Sequence, residues 1–415
     1  TVNYYKIFKM NDGNTSFKFA NPCFWICSAA LYPVNVKFGV NIVTGGQIQK
    51  GFQHRLAASG NMSEFKGVVV VSQFDSGFTE NVGAEVRTKF TDLKKAGMKR
   101  FVLDLRGNGG GLMSEAVNIL SIFLPKNTLA VTSKGNSAEN SYEYRTSLEP
   151  VDTEMPVIVL IDSGSASASE IVAGAIQDHD RGTIMGTRSY GKGLVQSIRP
   201  LPYNGQMKVT TAKYYTPSGR CVQAIDYSRR NEDGSVGHIP DSLTSEFKTA
   251  SGRIVRDGGG ITPDIKIEPK DYSRLVYALV LGGVIDQYAI DYSRRHDSIP
   301  SVEDYHFSEA EWEDFVKFAM TQEFDYRSSA KTLYDQMKKE LEKDGLAETM
   351  QAELEAMEKA LDMEKEQFLR LKKEEIIPFI EEELATRYWF QEAGVQIRLR
   401  YDEQLEKALQ TPMLF

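Results

Sequence analysis

Three short segments in the middle of the chain carry side chains suited to catalysis or ligand binding. The first is a run of serines and small residues, Ser163 to Glu170, between an apolar stretch predicted to be a buried strand and a predicted helix. A hydroxyl at a helix N-terminus lies where the helix dipole stabilises negative charge, and the amides that follow can bind an oxyanion. Serine is also a common helix N-cap. The run therefore predicts a nucleophile or a cap.

The second segment is a glycine-rich turn, Asp104 to Gly111, which follows a predicted strand at residues 101–105. Glycines let the backbone approach a ligand closely and direct its N–H groups into a cavity, although a tight turn needs them for the same conformational freedom. The dinucleotide-binding pattern GxGxxG fails here because Leu112 stands where its last glycine belongs. The turn is thus either a structural bend or a set of backbone donors.

The third segment, Gly186 to Gln196, contains a lysine between two glycines and close to apolar residues. It nearly matches the phosphate-binding loop GxxxxGK[ST], but Gly193 replaces the Ser/Thr and the following residues predict a strand instead of a helix. An ordinary solvated lysine is the common alternative. Burial favours the neutral amine, and a neutral Lys192 can take a proton from a serine, as in Ser–Lys variants of the catalytic triad.

A histidine is the other candidate base for a serine at position 167. The chain has five histidines, of which His179 is nearest to Ser167 in sequence. If residues 168–179 form one helix, the two residues are roughly 18 Å apart at 1.5 Å per residue. The remaining four histidines are remote in sequence, so the lysine is the better candidate.

The elements that position these segments alternate between strand and helix from residue 67 to about residue 269. Alternation of this kind predicts an α/β layer architecture. The predicted strands are residues 68–71, 101–105, 157–161, 183–185, 194–198 and 207–215. The predicted helices are residues 80–96, 112–124 and 168–176.

From about residue 271 the chain is predicted to be helical and highly charged. Apolar residues recur at helical spacing from Met350 to Leu371, and Pro378 is expected to end or kink that helix. The apolar stripe predicts either a helix packed on its own chain or an arm packed on a second subunit.

Composition excludes several classes of protein. The 415 residues include 49 Lys plus Arg and 57 Asp plus Glu, a net charge of −8 that does not favour nucleic acid as a partner. The longest apolar stretch, Leu275 to Ile285, is about half of the roughly 20 residues that cross a bilayer. Three cysteines build no disulfide framework, and no CxxC pair indicates zinc.

Together, the motifs resemble the C-terminal processing peptidases, or tail-specific proteases, a family of Ser–Lys serine endopeptidases. The resemblance covers about residues 67–270. It rests on these segments: LDLRGNGGG (residues 103–111), SGSASASEIVAGA (163–175), SYGKGLVQ (189–196), TTAKYYTPSGRC (210–221) and DGGGITPDI (257–265). The sequence of residues 217–242 is similar to that of family members from Bacteroidetes-type bacteria.

The resemblance implies roles at matching positions. Ser167 corresponds to the nucleophile, and Lys192, 25 residues later, to the general base. Gln196, four residues after the lysine, corresponds to a residue that hydrogen-bonds and orients the amine.

The resemblance also implies an oxyanion hole and supporting side chains. The oxyanion donors are expected to be the amide of Ala168 and a glycine-turn amide, at Gly110 or Gly111. Glu170 and Ser189 match positions that support the site. No metal and no cofactor are implied.

At the level of the whole chain, the resemblance implies a crotonase/ClpP-like α/β core with a mostly helical C-terminal region. The expected organisation is an N-terminal region without a readable fold (1–66), for which a PDZ remnant is one interpretation, a protease core (67–270), and a helical region (271–415) that serves oligomerisation. The expected partners are proteins with apolar C-terminal tails and further copies of the chain. The implied location is the bacterial periplasm or cell envelope. The alternative function is a non-catalytic scaffold that binds peptide tails.

Overall fold

The computed structural model describes residues 66–70, 78, 80–136, 141–230, 236–326, 328–361 and 364–412. The predicted N-terminal region, up to residue 65, lies outside the described residues. None of the helices found in the described ranges combines the length and the apolar character needed to cross a membrane.

Strands alternate with helices in the first half of the described chain, and helices dominate the second half. The strands are β1 (Lys66–Val70), β2 (Arg100–Asp104), β3 (Leu129–Gly135), β4 (Tyr142–Arg145), β5 (Val157–Ile161), β6 (Thr183–Gly186), β7 (Leu194–Pro200), β8 (Gln206–Tyr215), β9 (Ile225–Arg230), β10 (Val236–His238), β11 (Glu246–Lys248), β12 (Ile254–Arg256) and β13 (Ile265–Lys266). The helices are α1 (Val82–Lys95), α2 (Met113–Phe123), α3 (Ala168–Asp178), α4 (Arg274–Leu281), α5 (Val284–Arg295), α6 (Glu309–Met320), α7 (Ser329–Lys343), α8 (Gln351–Leu361), α9 (Lys365–Leu371), α10 (Lys373–Arg400) and α11 (Glu403–Gln410).

A five-stranded parallel sheet with the order β1-β2-β5-β6-β13 forms the centre of the larger compact unit. Successive side chains of a strand point to opposite faces of the sheet. In β2, Phe101 and Leu103 accordingly join one buried cluster, whereas Val102 joins another. Because β5 is buried throughout, both faces of the sheet must be covered, as is usual for parallel sheets.

The first face of the sheet is covered by α1, α2 and α3. Their apolar residues share one cluster with the alternate residues of β2 and β5. Phe90 of α1 packs edge-on against Phe101 of β2 and Phe123 of α2, with ring centroids 4.9 and 5.3 Å away. Edge-on aromatic pairs stabilise a fold by more than the burial of their apolar area alone. Here they hold α1 and α2 in the helical layer that also contains α3.

The second face of the sheet is covered by the last part of α10 and by α11. Val395, Leu399 and Leu405 pack with the β2 and β5 residues that point to this side. Arg106, just after β2, forms ion pairs with Asp402 and with Asp104. The C-terminal helices are therefore part of the layer that supports the glycine-rich turn.

An antiparallel sheet with the order β4-β3-β8-β7 accompanies the parallel one. β7 and β8 form a hairpin that pairs from Leu194–Lys213 to Pro200–Gln206. Two small antiparallel pairs, β9 with β10 and β11 with β12, follow in the chain.

A second compact unit contains residues 273–291 and 310–375. Within it, Tyr288 of α5 packs edge-on against Phe315 of α6, with ring centroids 5.1 Å apart. The Tyr334 hydroxyl of α7 donates to the Leu354 carbonyl of α8 at 2.9 Å. Among the described residues, the larger unit includes those within 66–272, 292–309 and 376–412, so the helical region after residue 271 contributes to both units.

The C-terminal helices differ in detail from their prediction. The apolar stripe from Met350 to Leu371 is divided between α8 and α9 instead of forming one helix. α10 continues through Pro378 and breaks at Phe390, whose φ is 67°. Ile376 and Ile380, on either side of the proline, are completely buried, and this packing holds the helix together where one backbone hydrogen bond is lost.

Candidate active site

Ser167 lies at the N-terminus of α3, six residues after the end of β5. Its backbone has φ 57° and ψ −114°, outside the regions that a serine ordinarily adopts. Such strain persists only where the surrounding structure fixes it, and it is concentrated at functional sites. The side chain is partly exposed, and the helix dipole stabilises negative charge that develops there.

The neighbouring serines of the run have structural roles. The Ser165 hydroxyl donates to the Leu105 carbonyl at 2.7 Å, and the Ser169 hydroxyl donates to the Asn108 carbonyl at 2.9 Å. Both residues are completely buried. Of these three alternating serines, Ser167 is the accessible one.

The glycine-rich turn is pressed directly against Ser167. A Cβ atom on Gly110 would lie 2.6 Å from the Ala168 amide nitrogen and 2.8 Å from the Ser167 Cβ, and Gly110 has φ +90°. Both the space and the conformation therefore require glycine. The Asn108 carbonyl also accepts from the Ala166 amide at 2.9 Å, which joins the turn to the chain before α3.

The two glycines considered as oxyanion donors differ. The Gly110 amide donates to the Asn108 side-chain oxygen at 2.8 Å, so it is engaged. Neither the Gly111 amide nor the Ala168 amide has a hydrogen-bond partner within the described ranges. Gly111 is exposed. The geometry favours Gly111 and Ala168 as donors, with Gly110 providing the close approach.

Glu170 connects the serine segment to the lysine segment. Its carboxylate accepts from the amides of Ser167 (2.8 Å), Gly191 (2.7 Å) and Lys192 (2.9 Å) and from the Ser189 hydroxyl (2.6 Å). Burial raises the pKa of Glu170, although these hydrogen bonds oppose the rise. One buried side chain thus brings the two segments together.

Lys192 lies between its glycines just before β7 and is partly buried. Burial lowers the pKa of its amine, the positive charge of Lys208 lowers it further, and Glu170 acts in the opposite direction. A lowered pKa increases the neutral fraction near neutral pH, which is the form that accepts a proton.

Tyr214 of β8 is a site residue that the sequence alone did not single out. Its hydroxyl contacts the Lys192 carbonyl, the Ser167 carbonyl (3.3 Å) and the Glu170 carboxylate (3.4 Å). Burial and the Glu170 charge raise its pKa well above the ordinary value, so the hydroxyl remains a donor. Strand alternation in the segment TTAKYYTPSGRC is a signal that one of its two tyrosines points inward.

Gln223 supports the lysine segment from its other side and was likewise not singled out. Its side-chain oxygen accepts from the Gly193 amide at 2.8 Å, and the next amide, of Ala224, donates to the Gly191 carbonyl at 2.9 Å. Gly191 has φ +83°, and a Cβ there would lie 2.3 Å from the Ala224 Cβ. The glycines around Lys192 therefore permit close packing on both sides.

Gln196, which is expected to orient the lysine amine, lies on the strand that follows Lys192. It lies on β7 with an exposed side chain, and no hydrogen bond joins it to Lys192 in the described part of the chain. Lys192 lies before β7, and Gln196 is the third residue of the strand. The role of Gln196 in orienting the amine stays a prediction.

Two other groups near α3 have structural partners. His179, at the C-terminal end of the helix, contacts the Leu129 carbonyl at 2.7 Å through a ring nitrogen. Asp178 forms a completely buried ion pair with Arg220 at 2.9 Å. A search of the residues that the structure describes finds no group of three His, Cys, Asp or Glu that fits a metal ion.

The chain matches known protein families over the segments that build this site. Residues 66–228 match peptidase family S41, and residues 275–411 match the C-terminal helical domain of probable PDZ-proteases. The first of these two matches covers 163 of the 415 residues. The S41 match contains Ser167, the glycine-rich turn and Lys192, and it confirms the resemblance expected from the motifs. The observed α/β architecture confirms the expected fold class.

Several curated proteins that are similar to this chain are named as processing proteases. A carboxy-terminal-processing protease of Bartonella bacilliformis is 45% identical over 36% of this chain and 35% of its own length. The chloroplastic C-terminal processing peptidase of Tetradesmus obliquus is 36% identical over 36% of this chain and 32% of its own. The carboxyl-terminal-processing protease of Synechocystis is 39% identical over 38% and 36%. The chain thus spans about a third of the length of these relatives.

Proposed function

We propose that this chain is a serine endopeptidase in which Ser167 is the nucleophile and Lys192 the general base, and that it cleaves proteins toward their C-terminal ends. The observation that carries the proposal is the junction at Glu170, where one buried carboxylate accepts hydrogen bonds from the amides of both residues. The activities named for the S41 relatives support the same function.

The first step is attack on a peptide carbonyl. Neutral Lys192 takes the hydroxyl proton of Ser167 as the serine oxygen bonds to the carbonyl carbon, and the carbonyl oxygen becomes an oxyanion. The amides of Ala168 and Gly111 donate to that oxyanion. Each such donor is worth about 3 kcal/mol of barrier in proteases where one has been removed.

The second step breaks the peptide bond and then releases the product. Protonated Lys192 gives its proton to the leaving nitrogen, so that the C-terminal fragment departs and the N-terminal fragment remains as an ester on Ser167. Lys192, neutral again, removes a proton from water as the water oxygen attacks the ester carbon. The bond from that carbon to the Ser167 oxygen then breaks, and Lys192 returns the proton to the serine oxygen, which regenerates the hydroxyl and the neutral amine. Both steps use groups of this chain and one water molecule.

We further propose that the substrates are proteins with apolar C-terminal tails in the bacterial cell envelope. The resemblance of the sequence motifs supports this substrate class, and the name of the Bartonella relative supports processing at the carboxyl terminus. The proposal includes self-association of the chain through its C-terminal helices. Leu333 and Met337 of α7, one helical turn apart, are exposed and suit such a contact.

The test uses two unstructured substrate proteins that differ only at the C-terminus, one with an apolar tail and one with serines in its place. We expect cleavage near the C-terminal end of the first protein and at least fivefold slower cleavage of the second. Mass spectrometry of the fragments gives both the sites and the rates. Cleavage of neither protein would contradict protease function, and equal cleavage of both would contradict selection of the tail.

A further inference from the structure

The hairpin next to Lys192 carries an excess of positive charge, in contrast to the acidic chain as a whole. We call β7, β8 and the connecting residues 201–205 the basic ribbon. Between Asp180 and Asp226 the chain contains seven Lys or Arg residues and no Asp or Glu, although its net charge is −8. Three of the seven lie on the basic ribbon with exposed side chains: Arg199, Lys208 and Lys213. None of these three forms an ion pair with any described residue.

The basic ribbon also exposes apolar side chains and a strand edge. The exposed fractions are 61% for Ile198, 45% for Met207 and 103% for Tyr203. β7 pairs only with β8 among the described strands, so its outer edge has N–H and C=O groups without a strand partner. Such an edge is a template for adding an extended peptide as a further strand.

The open edge starts at the candidate active site. β7 begins at Leu194, two residues after Lys192, and the charge of Lys208 is close enough to act on the Lys192 amine. A peptide paired with β7 would therefore extend from the reacting bond along a row of positive charges. The complementary ligand is a polypeptide with carboxylates among apolar residues.

We propose that the outer edge of β7 binds an extended acidic segment of the substrate, with Arg199 and Lys208 pairing with its Asp or Glu side chains. The proposal rests on the protease function above and adds a charge preference to it. A polypeptide is favoured over nucleic acid because exposed apolar residues interrupt the charges and a strand edge pairs with a peptide backbone.

Charged residues and proline on an edge strand also protect proteins against edge-to-edge association. Arg199 and Pro200 suit that role at the far end of β7. They do not explain the first part of the strand, Leu194 to Ser197, which has neither charge nor proline and lies nearest to Lys192. A protective role predicts no preference among substrates, and this difference separates the two explanations.

The experiment compares two peptides that have the same apolar residues and differ only by Glu or Gln at four positions. Binding to the intact chain carrying Ser167→Ala is measured by fluorescence anisotropy, and cleavage by the unmodified chain is measured as kcat/KM. We expect the Glu peptide to bind and react about tenfold better at low salt. Because exposed ion pairs are screened, the ratio should fall toward one at high salt.

A double variant, Arg199→Gln with Lys208→Gln, should reduce the Glu-to-Gln ratio about fivefold, in line with the modest strength of exposed ion pairs. The ratio cancels any effect of Lys208 on the Lys192 amine. Lys95→Gln, the same change at an exposed lysine of α1, is the control and should leave the ratio unchanged.

The outcomes separate this inference from the proposed function. If the chain cleaves both peptides equally, the charge preference is wrong and the protease function stands. If Ser167→Ala binds the Glu peptide preferentially and no peptide is cleaved, the preference stands and the protease function fails. Tighter binding of a labelled single-stranded DNA than of the Glu peptide would overturn the inference, as would a ratio that the double variant leaves unchanged.

Discussion

A Lys192→Met variant is expected to fold and to lose proteolysis by about 10²- to 10⁴-fold, the range that a general base supplies. Methionine fills a similar volume but cannot accept a proton. The matched control is Lys192→Arg, which keeps the positive charge and cannot be deprotonated in proteins. Both variants should be inactive if Lys192 is the base. Retained activity in the arginine variant would show that only the charge matters.

The pH dependence of the unmodified chain tests the same residue. Because the pKa of Lys192 is lowered by burial and by Lys208, the amine is protonated and inactive as a base below that pKa, and it is neutral above it. Proteolysis should therefore rise with pH and level off below pH 10.5, the ordinary lysine value. Initial rates in buffers of constant ionic strength give the profile. A rate independent of pH would contradict the assignment.

Glu170→Gln is expected to disrupt the site and to destabilise the core. The carboxylate accepts from N–H or O–H groups at both oxygens. Glutamine replaces one oxygen with an NH₂ group, so in either orientation buried donors face another donor. Each unsatisfied buried group costs about 1–3 kcal/mol. We expect the melting temperature to fall by roughly 10 °C and kcat/KM to fall by at least about 10²-fold.

Glu115→Gln is the matched control for that variant. Glu115 is also buried and accepts from the Gly83 amide at 2.8 Å and from the Asn118 side-chain amide at 3.0 Å. It does not contact Ser167 or Lys192. Its replacement should lower the melting temperature while the folded protein keeps its kcat/KM. Full activity in Glu170→Gln would contradict the role of this carboxylate in joining the two segments.

The sequence predicted the core of the fold well because its local signals agree with the packing. The strand at residues 157–161 has the predicted bounds, and the helix predicted at residues 168–176 extends two residues further, to Asp178. Apolar runs between glycine-rich turns identify buried parallel strands because both faces of the sheet are covered. Prediction was weaker for the C-terminal helices. The break of α10 at Phe390 depends on packing between the parts of the helix before and after that residue. Gly394 lies so close to Thr386 that a Cβ on the glycine would overlap the threonine side chain.

The candidate site shows the same division between local and long-range information. Residue types indicated a serine and a lysine, the family resemblance of the motifs assigned the roles to Ser167 and Lys192, and the structure joins their segments through Glu170. The sequence left Gly110 and Gly111 equivalent as donors, because only the contact with Asn108 separates them. Tyr214 and Gln223 approach Lys192 through strand pairing across the fold, which spacing along the chain does not reveal.

The most direct test of the central claim, that Ser167 is the nucleophile of a protease, compares Ser167→Ala with Ser163→Ala. Ser163 is an exposed serine just before α3, so its replacement controls for the loss of a hydroxyl in the same loop. Both variants and the parent are incubated with an unstructured protein that ends in apolar residues, and the fragments are identified by mass spectrometry. The account predicts cleavage by the parent and by Ser163→Ala, and none by Ser167→Ala. Cleavage by Ser167→Ala at the parent's sites and rate would contradict it.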